Sequence, residues 1–192
     1  VITEEFVYLG TLSQLNKAEA DIVGAKMDDE GIIPEELDNL IKDLLSQGKK
    51  IKYLYTIPEF QNPTGSTMPL SRREKVLEIT NKYGLPVLED DCYVDLRFEG
   101  ETQPSYKSLD SSGSVIHVAS FSKLIAPGLR MGYVNAPIDV MKRLNYLKTS
   151  GPSQFVSLAI ENFLNKEMEA HKLRASSLLR EKRDAMISSL GE

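Results

Sequence analysis

The sequence predicts an α/β domain: a mostly parallel sheet with helices on both faces, followed by a long helix. Three observations predict it. Short β-rich runs alternate with amphipathic helical runs over residues 1–150, the pattern of parallel strands joined by crossover helices. Three successive strand candidates lead into segments rich in groups that bind ligands, as strands do at the carboxyl edge of an open α/β sheet. From Gln154 to Leu190 a helical pattern continues without Pro or Gly, well beyond the usual length of a globular helix.

Val1 to Thr3 reads as the end of a strand. The chain has no initiator Met and opens with neither a basic segment nor an apolar leader, so it reads as the middle of a longer protein. Ile22 to Ala25 is the next strand, followed by the linker Asp28-Asp29-Glu30-Gly31-Ile32-Ile33-Pro34. Pro34 to Leu45 carries Leu37, Leu40, Ile41, Leu44 and Leu45 on one helical stripe, and Pro34 suits a first turn. Ile51 to Ile57 is a strand. Ser71 to Tyr83 is a helix, with Ser71 and Glu74 spaced as a capping box and Gly84 as its stop. Strands at Pro86 to Glu89, Ser114 to Ala119 and Met131 to Asn135 follow, then a helix from Ile138 to Lys148. Gln154 to Leu190 is two helices, or one long helix connecting two domains. Residues 1–150 therefore form the core domain, incomplete at its N-terminus. Residues 151–192 form a long interdomain helical region, with a further C-terminal domain expected after it.

Composition narrows the class. Apolar residues make up 41% and charged residues 27% of 192, ordinary for a globular protein able to bury a core without disulfides or metal. The net charge of −5 and the scattered lysines and arginines argue against nucleic acid, which needs clustered cations. No apolar run approaches the length that crosses a bilayer. Cys92 is the only cysteine; it can form no internal disulfide and fits a reducing compartment, hence the cytoplasm. His117 and Cys92 lack metal-ligand spacing.

Three segments carry chemistry. Pro58 to Gly65 follows the third strand and contains Asn62-Pro63-Thr64-Gly65, a turn by its own composition, from which Asn62 can point an amide into the crevice. Val87-Leu88-Glu89-Asp90-Asp91-Cys92-Tyr93 brings a carboxylate and a phenol to the next strand end. There Asp90 can pair with a protonated heterocyclic nitrogen, while Asp91 reads as solvated. Ser120-Phe121-Ser122-Lys123, with Arg130 a few residues on, offers hydroxyls and a guanidinium suited to a phosphate and an amine suited to a carbonyl.

These three motifs, in this order, resemble the signature of the fold-type-I pyridoxal-phosphate enzymes. Within them they resemble the class I/II aminotransferases, especially the aminoadipate and kynurenine-type branch, over essentially the whole chain. The resemblance implies pyridoxal 5'-phosphate as cofactor, bound through a Schiff base to Lys123. It implies Asp90 at the pyridine nitrogen, and Asn62 and Tyr93 at the phenolic oxygen. Ser120, Ser122 and Arg130 would hold the phosphate. Tyr8 stands where the family often has an aromatic near the ring, although Phe6 replaces the usual proline. Lys123 would be the general base, and an amino group would pass between an amino acid and a 2-oxo acid. A homodimer is implied by analogy. Complete members are about twice this length; the upstream glycine-containing phosphate turn and the downstream domain with the carboxylate-binding arginine are absent from these residues. Arg174, Arg180 and Arg183 read as solvated or interface residues. A lyase or synthase on the same scaffold, or the sensor domain of a transcriptional regulator, shares these motifs.

Overall fold

A computed structural model describes residues 1–191. The main sheet runs in the order β2-β1-β5-β6-β7-β8. Its strands are β1 (Ile2–Glu4), β2 (Val23–Ala25), β5 (Leu54–Thr56), β6 (Val87–Asp91), β7 (Val115–Ser120) and β8 (Gly132–Asn135). All pair in parallel except β8, which runs antiparallel to β7 at the edge. All six expected strands are present. The Asp28–Pro34 linker is more ordered than its composition suggests. It contains a small antiparallel hairpin of β3 (Met27–Asp28) and β4 (Gly31–Ile32), turned by Gly31 at φ 92° and by the Glu30 amide donating to Asp28 Oδ1 at 2.8 Å.

The core lies where the sheet meets two helices. In α2 (Pro34–Ser46), Pro34 occupies the first turn and Leu37 and Ile41 are fully buried. Burial of each contributes about 1.5–3 kcal/mol. They join Ile2, Leu54, Val87 and Val115 from the strands and Val76 and Leu77 from α3 (Leu70–Lys82). The capping box expected at Ser71 does not form. Pro69 is the N-cap, Ser71 is exposed, and the Leu70 amide donates to Gln103 Oε1 at 3.2 Å. Proline's fixed φ starts the helix one residue early and hands the capping to a distant side chain. Gly84 ends the helix at φ 61°, as expected.

A nine-residue helix that periodicity did not reveal, α1 (Leu9–Lys17), follows β1; of its residues only Leu15 is buried. Two short helices, α4 (Tyr106–Leu109) and α5 (Phe121–Leu124), flank β7. The helix α6 (Ile138–Leu147) lies after β8. The closing stretch is two helices, α7 (Gln154–Lys166) and the long α8 (Met168–Leu190), separated by Glu167 at φ −120°. Among the described residues no helix is long and apolar enough to cross a membrane.

Candidate active site

The carboxyl ends of β5, β6 and β7 lie side by side, because these three strands are sheet neighbours in parallel register. Each feeds one of the three motif segments. A cavity of about 600 Å³ opens there, lined among others by Asn62, Tyr93, Lys123, Phe60, Leu96 and Arg183. The amide, phenol and amine expected at one site therefore share one cavity. Asp90 does not line it. It is half-buried, and the Cys92 thiol donates to its Oδ1 at 3.0 Å. Burial, then the Asp90 charge, pushes that thiol up to about 12, while the Lys123 ammonium pulls it the other way. Lys123 is thus within electrostatic reach of the Asp90–Cys92 pair.

Ser120 ends β7 and caps α5, its Oγ accepting from the Ser122 amide at 3.1 Å. That bond uses a lone pair and leaves the Ser120 proton free to donate. Arg130 follows a 3₁₀ turn (Pro127–Leu129) and adopts a left-handed conformation, φ 49° and ψ 43°. Such geometry is uncommon for a residue with a Cβ. The Arg130 guanidinium is exposed and donates to the Pro127 carbonyl at 3.3 Å. Ser120, Ser122 and Arg130 sit around the β7–β8 connection and do not line the cavity. Tyr8 lies elsewhere: it is exposed at the N-terminus of α1, its ring against Gly10. The structure does not bring it to the cavity.

Asp91 corrects the reading of a solvated carboxylate. Its Oδ2 pairs with His117 Nε2 at 3.2 Å, and only 14% of its side chain is exposed. His117 is drawn there by the register, which sets it opposite Glu89, two residues before Asp91. The hydrogen bond to Asp91 raises the imidazole pKa above its ordinary 6.5, against burial.

Other residues shape the site, some outside the three motifs and some, such as Glu59 and Gln61, inside the Pro58–Gly65 segment but with no role assigned from sequence. Glu4, at the end of β1, accepts from Thr56 Oγ1 at 2.6 Å, the Ile57 amide at 3.1 Å and Gln61 Nε2 at 3.0 Å. Burial outweighs these bonds and pushes its carboxyl up to about 7. Gln61 in turn holds the Asn62 turn, its Oε1 accepting from the Thr64 amide at 2.9 Å and hydroxyl at 2.8 Å. Just before it, buried Glu59 pairs with both Arg73 and Arg97. The Arg97 guanidinium lies 4.4 Å from the Phe60 ring centroid. Phe60, at φ 51°, is another left-handed residue with a side chain. Glu59 thereby ties the Asn62 segment to the Tyr93 segment. Arg180 and Arg183 are not simply solvated. Arg180 donates to the Phe98 carbonyl, and Arg183 grips Glu99 at 2.7 and 2.8 Å, joining α8 to the same loop. Apart from the Gln61–Thr64 bonds, partner spacing in sequence is too wide for a motif search to find these contacts.

A mostly parallel sheet whose strand ends present an amine, an amide and a phenol to one cavity belongs to a recognisable class. The chain is a member of the aminotransferase class I and II family, whose family model matches residues 6–192. It is 36% identical, over 99% of its length, to an uncharacterised aminotransferase of Saccharolobus solfataricus, of which it covers 48%. It superposes on the kynurenine aminotransferase of Pyrococcus horikoshii, solved in complex with PMP, with a TM-score of 0.95 and 35% identity. That match covers 100% of this chain and 48% of the other. An uncharacterised HTH-type transcriptional regulator of Bacillus subtilis is 34% identical over 99% of this chain and 39% of its own length. The chain spans about half the length of the curated aminotransferases it matches.

Proposed function

We propose that the protein carrying this chain is an aminotransferase that binds pyridoxal 5'-phosphate at the Lys123 cavity and moves an amino group between an amino acid and a 2-oxo acid. The observation that carries this reading is the single cavity shared by Lys123, Asn62 and Tyr93, with Asp90 near the end of β6, three positions before Tyr93. The donor set suits the cofactor. A primary amine stands ready for an aldehyde, a half-buried carboxylate for a ring nitrogen, and an amide and phenol for a ring oxygen. Hydroxyls and a guanidinium at the end of β7 suit a phosphate. When bound, the cofactor supplies an electron sink for the charge left when a substrate Cα loses its proton.

In this reading Lys123 would hold the cofactor through its amine and would act as the general base that moves the substrate Cα proton. Asp90 would anchor the ring nitrogen, and Asn62 and Tyr93 would orient the ring. Ser120, Ser122 and Arg130 would hold the phosphate. A cytoplasmic homodimer acting in amino-acid metabolism is the setting we infer from family analogy; sedimentation of the full-length protein tests the dimer.

Replacing Lys123 with Ala in the full-length protein should abolish the visible absorbance gained with pyridoxal phosphate and nearly all turnover. Retention of both would sink the assignment. A second reading is favoured by the Bacillus subtilis likeness: an aminotransferase-like sensor domain of a transcriptional regulator. Both readings give cofactor absorbance, but only the aminotransferase releases a 2-oxo acid from an amino donor. The same assay, with ammonia and thiol also measured, separates a lyase on the same scaffold.

A further inference from the structure

Asp90 reaches its position through a chain of hydrogen bonds that starts on a different element. Thr11 Oγ1, on α1, donates to the Tyr55 hydroxyl oxygen at 2.9 Å. Tyr55, on β5, donates to Asp90 Oδ2 at 2.6 Å. Tyr55 is 3% exposed. A phenol has one proton to give. With Thr11 donating to the phenol oxygen, that proton is directed at Asp90.

The terminal torsion of an aspartate is broad and nearly two-fold, so its own rotamer preference does not aim its oxygens. Here Oδ2 is committed to a strong O–H donor. Among the described residues Oδ1 accepts only from the Cys92 thiol, a weak donor that leaves capacity for another partner. Burial, then the Asp90 charge, raises the Tyr55 phenol above its ordinary range, and Cys92 is likewise pushed up. Both groups therefore keep their protons near neutrality and remain donors.

We propose that Tyr55 is a positioning residue for Asp90: held by Thr11, it fixes the carboxylate plane so that Oδ1 is the oxygen presented to a protonated ring nitrogen. This rests on the reading that the Lys123 cavity takes pyridoxal phosphate. The rival explanation is that Asp90 merely satisfies a buried phenol and the bond serves only the fold.

The test titrates pyridoxal phosphate into full-length wild type, Tyr55→Phe and Thr11→Val, reading bound-cofactor absorbance, with melting of the cofactor-free proteins alongside. Tyr55→Phe removes only the hydroxyl. Losing a hydrogen bond to a charged group should raise the cofactor dissociation constant roughly tenfold and shift the pH dependence of the bound-cofactor absorbance, while the cofactor-free protein, which loses the same bond, melts somewhat lower. Thr11→Val, which frees the direction of the Tyr55 proton, should weaken binding in the same direction by a smaller factor. An unchanged dissociation constant in folded Tyr55→Phe overturns the proposal. So does a loss of affinity with the pH dependence of that absorbance unchanged. Should Tyr55→Phe fail to fold, Thr11→Val decides: wild-type affinity there overturns the proposal, and weakened affinity with a shifted pH dependence upholds it. If wild type itself takes up no cofactor, the reading of the cavity fails first, and this inference with it.

Discussion

Adjacent carboxylates at the end of β6 have separate duties. Asp90 is bonded by Tyr55 and Cys92 beside the Lys123 cavity, whereas Asp91 faces His117. Asp90→Ala should therefore weaken pyridoxal-phosphate binding and turnover far more than Asp91→Ala. Asp91→Ala should instead lower thermal stability, because it leaves a partly buried imidazole without its partner. Equal cofactor affinity in the two variants, by absorbance titration, would contradict this division. At this scale the sequence is most legible in short motifs at strand ends. Lys123, Asn62 and Tyr93 sit in such motifs, and the structure gathers them. Tyr55 could have been noticed from the two-residue period of its strand, which sets its side chain opposite those of Leu54 and Thr56. Its link to Asp90, however, spans 35 positions and depends on strand order, which no local pattern encodes. The Asp91–His117 pair was missed for the same reason, and it turned an expected surface charge into an internal contact.

Strands and the two core helices were legible because burial imposes a period: 2 for a strand and 3.6 for a helix. Where an element buries little, that signal fades. Helix α1 buries only Leu15, and so its period was lost among polar residues. The start of α3 differs from the local pattern because a distant glutamine, not a local serine, caps it. That helix also carries Arg73, whose side chain is 2% exposed. Its guanidinium donates to the Met68 carbonyl at 2.8 Å, the Pro58 carbonyl at 3.0 Å and the Pro104 carbonyl at 3.1 Å, besides Glu59. Removing one member of a buried pair strands the other charge. Arg73→Leu should cost about 3–5 kcal/mol of unfolding free energy, measured by urea denaturation. Arg97→Ala should cost less, because Arg97 is more exposed and Arg73 still neutralises Glu59. The reverse order would show that Arg97 carries the pair.

For the molecule as a whole, Glu4 sets a sign on the pH dependence of stability. Its carboxyl titrates near 7 when folded and at its ordinary 4.5 when unfolded. Between those values the folded state holds more protons at Glu4, so the Glu4 contribution to unfolding free energy falls as pH rises from 4.5 to 7 and levels off above. The span is roughly 3 kcal/mol. Glu89, raised by burial, and His117, raised by Asp91, act with the same sign. Glu4→Gln removes only the Glu4 part, and its stability relative to wild type should improve as pH rises through this window. A difference independent of pH in urea titrations would refute the shift. The largest geometric consequence belongs to the interruption at Glu167. Helix α8 runs 23 residues beyond it, about 34 Å of nearly rigid rod. It is pinned along its length by Lys172 to Asp95 and by Arg183 to Glu99. Such a rod is a lever with its fulcrum at one residue. A swing of about 5° there would carry the far end about 3 Å, given that rod length, and would drag the 94–99 loop, and with it the Tyr93 wall, in step.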